Sequence, residues 1–389
     1  MKSQEAGEAS KDVPTVASGP TVRLATRANF FVLGLAVAAW APIVPYAKAR
    51  VGADDSTLGL MILCLGLGSL ATMPVSGRLV SLFGCRVVLP IAGIALCAVL
   101  PFLALARTPV ELGAALALFG AAAGAIDIGI NIQAVAVEKA ERRPLMSGFH
   151  AQFSLGGIVG AAGATGLLAL SLAPATALSV LALVSATAIL ATTAGLLGRP
   201  EGGAAQSLAL PRGPVVLLGI MCFVTFLAEG SVLDWSALFI TQEHGVDRAW
   251  GGLAYAAFSA AMTIGRLTGD RIVGRYGARV VVAAGGVIAA AGYGVVVLSP
   301  IMVLSLIGFA LVGAGAANIV PVLFTTAGRQ PGIPPEAAVP GVATLGYLGL
   351  LIGPAAIGLI ADAASLAMAF LAVAVLLLGV ASAADRATR

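Results

Sequence analysis

Residues 221–240 have the sequence MCFVTFLAEGSVLDWSALFI, a run apolar enough to cross a membrane that nevertheless contains Glu229 and Asp234. An ionised carboxylate at the centre of a membrane helix costs about 2.5–3.5 kcal/mol on insertion scales. Acidic residues at such positions usually face a water-filled cavity or the interior of a helical bundle. We therefore expect a polar cavity within the bilayer, of the kind that passes a proton or a solute.

The composition excludes a soluble globular protein. Hydrophobic residues make up 59% of the 389 positions, charged residues make up 10%, and the mean hydropathy is +1.02. Since a helix needs about 20 mostly apolar residues to span the hydrocarbon, the chain has room for about a dozen spans. Alternating ten-residue amphipathic strands are absent, which excludes a membrane barrel. The sequence predicts an all-α membrane protein with 12 transmembrane helices.

Hydrophobic segments separated by Gly, Pro and charged residues divide the chain into two sets of six. The predicted spans are 28–48, 57–80, 86–107, 109–137, 145–170, 173–197, 214–240, 249–270, 280–299, 301–327, 336–362 and 364–384. We interpret 1–27 as a disordered cytoplasmic tail without a signal peptide, 198–213 as a cytoplasmic linker and 385–389 as a tail. The two bundles are 28–197 and 214–384.

Basic residues predict the orientation, because cytoplasmic loops retain positive charge. With both termini inside, only Lys48, Arg50, Arg107 and Arg248 lie outside. The pI near 9.0 then reflects topology and anionic lipid headgroups rather than nucleic acid. We expect a monomer in a bacterial inner membrane. The four cysteines lack metal-like spacing and predict neither a disulfide nor a metal site.

The chain repeats itself weakly. Offsets of 193 and 191 residues align glycines, arginines and polar residues at matching depth. The pairs are Gly84 with Gly277, Arg86 with Arg279, Gly156 with Gly349, Gly160 with Gly353, Asp127 with Asn318 and Gly124 with Gly315. Low-complexity helices can align by chance, but these matches coincide with equivalent loops. A pseudo-twofold repeat predicts a substrate site between the halves near the midplane.

Two loops carry a family resemblance. GRLVSLFGCR (77–86) resembles the signature loop between the second and third helices of the major facilitator superfamily, and DRIVGRYGAR (270–279) resembles its second copy. Ser81 and Gly274 stand where the family usually has Asp. The resemblance implies two pseudo-symmetric six-helix bundles that work by alternating access. Basic and acidic residues near these loops are candidates for gating, although the positive-inside rule alone also accounts for the basic ones. The gating candidates are Arg78, Arg86, Arg266, Asp270, Arg271 and Arg275.

Five further segments resemble the YbjJ-like branch of the superfamily: LAEGSVLDWSALFI, AYAAFSAAMTIGRLTGDRI, LMSGFHAQFSLGGIVGA, ANIVPVLFTTAGR and TLGYLGLLIGPAAIG. A fainter similarity is to rhizopine transporters of the MosC type, which implies an inositol-type amino-polyol as cargo. We place Arg266 at the cytoplasmic end of the eighth span, within reach of headgroups or Asp270.

Four titratable residues within the spans are candidates for proton coupling: Glu229, Asp127, His150 and Asp234. Asp127 and Asn131 are separated by one turn and share a face. His150 should lie level with Asp127, and an imidazole beside a carboxylate forms a proton-responsive pair. The alternative interpretation is that each is a hydrogen-bonded packing residue.

Neutral polar and aromatic residues complete the predicted site. The candidates for substrate binding are Asn131, Gln152, Asn318, Trp40, Trp235, Tyr255 and Tyr347. Amides and hydroxyls suit a sugar or polyol, and the aromatic rings could stack on one. Interface anchoring is the alternative for Trp and Tyr. We also expect Pro321 to break the tenth helix just after Asn318.

These residues predict a proton-coupled secondary transporter of a small hydrophilic solute, with membrane lipids and protons as its other partners and no cofactor. A multidrug or metabolite/H⁺ antiporter is the alternative, suggested by the glycines of the fifth span. A membrane-embedded enzyme and a non-transporting sensor are further possibilities. We do not expect an enzyme, because no nucleophile motif or metal-ligand set is present. The phosphate-binding GxxxxGK[ST] loop of ATPases is also absent.

Overall fold

The computed structural model describes residues 18–53, 55–199, 213–245 and 252–388, and its regular elements within these ranges are helical. The helices are α1 Pro20–Ala39, α2 Val44–Val51, α3 Asp55–Phe83, α4 Cys85–Val99, α5 Phe102–Leu105, α6 Pro109–Glu141, α7 Met146–Ala169, α8 Pro174–Thr192, α9 Pro214–Glu243, α10 Gly252–Leu298, α11 Met302–Ala316, α12 Ile319–Ala327, α13 Pro335–Ala363 and α14 Leu366–Ala387, with 3-10 turns at Ala41–Ile43 and Thr193–Gly195.

Eleven helical segments of the described chain are long and apolar enough to cross a membrane. The longest, Leu253–Leu298, lies in α10 and is divided at Gly277, whose backbone is non-helical (φ 80°, ψ 160°). Gly84 has nearly the same conformation (φ 78°, ψ 162°) at the equivalent point of the first half. Only glycine adopts this region readily, so both turns depend on it. The twelve predicted crossings are therefore confirmed, and α10 supplies the eighth and ninth.

Proline sets several of the helix starts, since its missing N–H is not needed in the first turn. The helices α1, α6, α8, α9 and α13 all begin at a proline. The first helix accordingly starts at Pro20 rather than near residue 28, which corrects the predicted boundary of the N-terminal tail. Residues 1–17 and 200–212, which make up most of the predicted tail and linker, lie outside the described ranges, as does Arg248.

Equivalent helices pack in equivalent pairs in the two halves. In the first half α3 packs on α6 and α1 packs on α7, and in the second half α10 packs on α11 and α9 packs on α13. The halves meet where α3 contacts α13 and where α7 contacts α10. The helical hairpins and their partners thus repeat with the predicted pseudo-twofold relation, and the seam between the halves runs beside α6, α7, α10 and α13.

The start of α1 and the end of α14 lie on one face of the bundle, called here the terminal face. Arg23, at the start of α1, forms an ion pair of 2.7 Å with Glu141, at the end of α6. Thr388, after α14, lines the same cavity as Arg142. The same cavity is lined by Met146 at the start of α7, by Gly277, and by Pro331 shortly before α13, so these segments lie on this face as well.

Two glycines of the fifth span allow close approach of α7 to α1. A Cβ at Gly156 would overlap the carbonyl oxygen of Phe31, and one at Gly160 would overlap that of Leu35. Small residues commonly permit such contacts between membrane helices.

Gly160→Ala is therefore expected to force α1 and α7 apart and to destabilise the protein by about 1–3 kcal/mol, the usual cost of overpacking. Gly166→Ala is the matched control, because no atom of the described residues lies within 4 Å of a Cβ at that position of the same helix. Thermal unfolding of the two purified variants in detergent provides the comparison. Equal melting temperatures would contradict the assigned contact.

Candidate functional site

Asp127 lies deep in the bundle. It is 18 residues from the start of α6 and 14 from its end, which at 1.5 Å per residue places it about 27 Å and about 21 Å from the two helix ends. Asn131, one turn further along, donates from Nδ2 to the Asp127 carbonyl at 2.8 Å and to Asp127 Oδ1 at 3.3 Å. Since Asn131 is fully buried and Asp127 is half-buried, the carboxylate lies at the edge of the packed core.

His150 joins this pair from α7. Its Nε2 lies 3.2 Å from Asn131 Oδ1, so Asn131 bridges the imidazole and the carboxylate. The prediction placed His150 level with Asp127, and the structure places it beside Asn131, one turn closer to the terminal face. The imidazole lies between two phenyl rings, with centroid distances of 5.2 Å to Phe30 and 6.0 Å to Phe324. Phe324 belongs to the second half, so His150 lies at the seam.

Glu229 and Arg266 form the second polar group of the site. Arg266 Nη2 lies 3.7 Å from Glu229 Oε2, and the side chains are only 9% and 18% exposed. Arg266 Nη1 also donates to Ser154 Oγ at 3.1 Å, across the seam on α7. Glu229 Oε1 is buried and has no hydrogen-bond partner among the described residues. An acidic and a basic group thus lie together in the apolar interior, one turn of α7 beyond His150.

The predicted position of Arg266 is wrong. We expected it at the cytoplasmic end of the eighth span, reaching headgroups or Asp270. Its span extends from Gly252 to the break at Gly277, and position 266 is therefore about 16 Å from the break at 1.5 Å per residue. Arg266 is 7% exposed and belongs to the interior site rather than to the terminal face.

The tenth span is broken beside Arg266. Pro321 has no N–H, so it cannot bond the carbonyl of Ala317, four residues earlier. The helix ends at Ala316 and restarts at Ile319, with Asn318 in the turn. Arg266 Nε donates to the freed Ala317 oxygen at 3.4 Å. The break therefore includes Asn318, whereas the sequence predicts it just after this residue, and the Asn318 amide donates to the Gly265 carbonyl at 3.0 Å.

Tyr347 reaches the site from α13. Its hydroxyl donates to Asp127 Oδ2 at 3.3 Å, which links the second half to the first. The ring meets Phe226 edge-on, at a centroid distance of 5.3 Å. The aromatic groups that surround the polar cluster are therefore Phe30, Phe324 and the Phe226–Tyr347 pair.

Five predicted site residues are not brought into this cluster. Asp234 is exposed on α9, because five residues rotate it about 140° from Glu229. Trp40 is 7% exposed in the core at the end of α1, and Tyr255 is 40% exposed near the start of α10. The Trp235 ring faces Gly358 of α13. Gln152 is half-buried on α7, about 200° around the helix from His150.

The seam is closed on the terminal-face side of the site. Asp270 Oδ2 accepts a hydrogen bond of 3.0 Å from the Gly148 amide, in the first turn of α7 in the other half. Glu138 Oε2 accepts from the Leu145 and Met146 amides at 2.7 and 2.9 Å. These carboxylates accept hydrogen bonds from the free N–H groups at the start of α7. Their negative charge also interacts favourably with the positive end of the helix dipole.

Glu138 also takes part in closing the seam. Its Oε1 lies 3.2 Å from Arg329 Nη2 of the second half, and its side chain is 3% exposed. A cavity of about 510 Å³ lies around this contact, between the loops of both halves. The pseudo-twofold relates the contact between α7 and α10 to one between α3 and α13. A Cβ at Gly77 of α3 would overlap the Glu336 carbonyl at the start of α13, so the two helices approach closely there.

The remaining gating candidates have other surroundings. Arg86 donates from Nε to the Leu196 carbonyl at 2.8 Å, which ties its loop to the end of the sixth span within its own half. Arg279 forms the equivalent contact, 3.0 Å from Asp385 at the end of α14. Arg78, Arg271 and Arg275 are exposed at the terminal face. Two of the predicted gating residues, Asp270 and Arg266, have a recorded contact across the seam.

Asp270→Asn is expected to loosen the terminal face. A hydrogen bond to a charged acceptor contributes about 1.5–3 kcal/mol, and 1.4 kcal/mol corresponds to about tenfold in an equilibrium. Ser147 lies beside the seam and is 2% exposed, so a cysteine at this position (Ser147→Cys) reports opening of the terminal face. Its labelling by a membrane-impermeant maleimide should rise about tenfold. Asp234→Asn, which neutralises an exposed carboxylate, is the control and should leave the labelling unchanged.

Several of these residues were absent from the sequence prediction. They are Phe30, Ser154, Phe324, Glu138 and Arg329. Glu138 and Arg329 had a signal, because they are charged and lie close to predicted span ends. Nothing in the sequence distinguishes the two phenylalanines from the other apolar residues of their helices. Only the packing of α1, α7 and α12 shows that their rings lie beside His150.

The comparisons with known proteins agree with this geometry. The Major Facilitator Superfamily profile matches residues 28–339. An uncharacterized MFS-type transporter of Yersinia pestis is 48% identical over 377 residues, covering 96% of this chain and 98% of that protein. Membrane protein MosC of Rhizobium meliloti is 31% identical over 348 residues, covering 88% and 84%. The E. coli fucose:proton symporter FucP has the same fold, with a TM-score of 0.75 at 15% identity and coverage of 95% and 99%.

Two six-helix halves around a polar seam define a multi-pass membrane transporter. The chain belongs to the Major Facilitator Superfamily.

Proposed function

We propose that this chain is a proton-coupled secondary transporter of a small hydrophilic solute, with a sugar, polyol or amino-polyol such as an inositol derivative as the preferred cargo. The supporting observation is the pair of polar groups at the seam, Asp127–Asn131–His150 and Glu229–Arg266, deep within an apolar bundle. Ionisable groups at this depth mark proton and solute pathways in membrane proteins.

The two polar groups have different roles in this proposal. Asp127 is half-buried and has no cation among its recorded hydrogen-bond partners, so it can gain and lose a proton without breaking an ion pair. Glu229 lies beside Arg266, so its protonation would leave the buried guanidinium without a counter-charge. Asp127 is therefore the proposed coupling carboxylate, with His150 linked to it through Asn131.

The amides, hydroxyls and phenyl rings around these charges suit a hydroxylated solute. Asn131 and Tyr347 supply hydrogen-bonding groups, and Phe30 and Phe324 supply apolar surface. Glu229 Oε1, which is buried and unbonded within the part of the chain that the structure describes, offers an acceptor to a substrate hydroxyl or amine. No cofactor other than the proton is needed.

The terminal face is proposed to be cytoplasmic and the membrane to be a bacterial inner membrane. Arg78, Arg86, Arg142, Arg271 and Arg275 are exposed on this face, as the positive-inside rule requires for a cytoplasmic surface. The relatives from Yersinia pestis and Rhizobium meliloti support a bacterial setting. The protein is proposed to act as a monomer.

The test uses purified protein in liposomes that contain a pH-sensitive dye. Sugars, polyols, amino-polyols and cationic drugs are added outside, one at a time, without a membrane potential. Inward movement of protons with a polyol or sugar is the expected result. Outward exchange of protons for cationic drugs alone would replace the proposal with an antiporter, and no solute-driven proton movement with any of them would refute coupling.

A further inference from the structure

The two oxygens of Asp127 face different halves of the protein. Oδ1 accepts from Asn131, on its own helix, and Oδ2 accepts from Tyr347, on α13 of the second half. The bond from Asn131 fixes the carboxylate, so that Oδ2 remains directed at the seam. A change in the charge of Asp127 therefore directly alters the strength of a hydrogen bond to the opposite half.

Tyr347 moves with the second half as part of a tightly packed helix pair. Its neighbour Gly346 lies against Phe226, and a Cβ at Gly349 would overlap the carbonyl oxygen of Phe223. With α13 and α9 held this closely, separation of the halves near Asp127 must carry the Tyr347 hydroxyl away from the carboxylate.

We propose that the hydrogen bond from Tyr347 to Asp127 is the contact that makes opening of the terminal face depend on protonation of Asp127. This inference rests on the proposed role of Asp127 as the coupling carboxylate. A hydroxyl bonds a charged acceptor about twice as strongly as a neutral one. Proton uptake from solvent by Asp127 weakens the bond, and the halves then separate more readily. Proton release restores the charge and the closed state.

Other ionisable groups surround the pair without replacing it. Glu229 and Cys222 of α9 interact electrostatically with Tyr347. Arg266 of α10 faces Glu229 and acts electrostatically on His150 of α7. Within the described chain, Tyr347 is the recorded partner of the Asp127 side chain in the second half.

The Gly148 amide reports separation of the halves. It is the third residue of α7, so it has no carbonyl partner within its own helix, and it bonds Asp270 of the other half. The amides of Leu145 and Met146 bond Oε2 of Glu138, on their own half, so these two hydrogen bonds can persist when Arg329 of the other half leaves Oε1. Hydrogen exchange at these three amides distinguishes opening of the seam from unfolding of α7.

The experiment measures this exchange in the full-length protein in lipid nanodiscs, for the wild type, Tyr347→Phe, Asp127→Asn and the double variant. At pH 8, each single change should raise the Gly148 exchange rate about tenfold, with Leu145 and Met146 unchanged. The double variant should exchange no faster than either single variant. Tyr255→Phe, which removes a hydroxyl near the opposite face, should match the wild type.

A second measurement needs no variant at the site. Acidification of the wild type from pH 8 to pH 5, after correction for intrinsic exchange, should raise Gly148 exchange, and the rise should be smaller in Tyr347→Phe. The rise that remains in Tyr347→Phe reports protonation of Asp270, which accepts directly from the Gly148 amide. An equal rise in the two proteins would assign the pH dependence to Asp270 alone and would overturn the inference. A wild-type Gly148 exchange rate that does not change with pH would overturn the inference. So would fully additive effects of the two substitutions on this rate in the double variant. No solute is present, so absence of solute-driven proton movement in liposomes would defeat the proposed function separately.

Discussion

Asp127→Asn is expected to abolish solute accumulation driven by a pH gradient while solute exchange across the membrane continues. With one proton per solute, one pH unit supports about tenfold accumulation, because both correspond to about 1.4 kcal/mol. An amide cannot take up the proton, so uptake should end at equal concentrations on the two sides. Asparagine keeps the size of the side chain and an oxygen that Tyr347 and Asn131 can still bond, although more weakly, so the shape of the solute site is retained.

The measurement follows uptake of a radiolabelled solute from the screen into liposomes, with and without a pH gradient. Asp234→Asn makes the same chemical change on an exposed position of α9 and should accumulate solute as the wild type does. Gradient-driven accumulation by Asp127→Asn would assign coupling to another group, of which His150 is the nearest alternative.

Arg266→Gln is expected to have the largest effect on stability. It removes the counter-charge of Glu229, and breaking a buried ion pair from one side costs about 3–5 kcal/mol. It also removes the donor to the Ala317 carbonyl, which Pro321 leaves without a helical partner. An unsatisfied buried acceptor costs about 1–3 kcal/mol. The variant should unfold at a clearly lower temperature and should not transport.

The double variant Glu229→Gln with Arg266→Gln separates these contributions. Removal of both charges should recover most of the lost thermal stability, with transport still absent because the polar site is altered. Arg275→Gln, nine residues further along the same helix at an exposed position, should melt as the wild type does. Arg266→Gln with unchanged stability would show that the 3.7 Å contact contributes little.

The sequence determined the membrane class, the number of spans and the family. Hydropathy marks the spans because each needs a long apolar run, and the observed helices differ from the predicted ones mostly by a few residues. It also identified the buried ionisable residues, since charge in an apolar run is conspicuous. The sequence predicts site roles for five residues that the structure places in two adjoining groups: Asp127, Asn131, His150, Glu229 and Tyr347.

The tertiary structure decided which of these residues meet. Asp234 points away from Glu229 because of the rotation of the helix between them. Arg266 lies in the interior, whereas the sequence predicts it at the terminal face. The partners that close the seam, Glu138 with Arg329 and Asp270 with Gly148, are distant in sequence. Hydropathy reports burial along a single helix, whereas a site between two halves depends on how twelve helices rotate and slide against one another, and side-chain packing alone determines that arrangement.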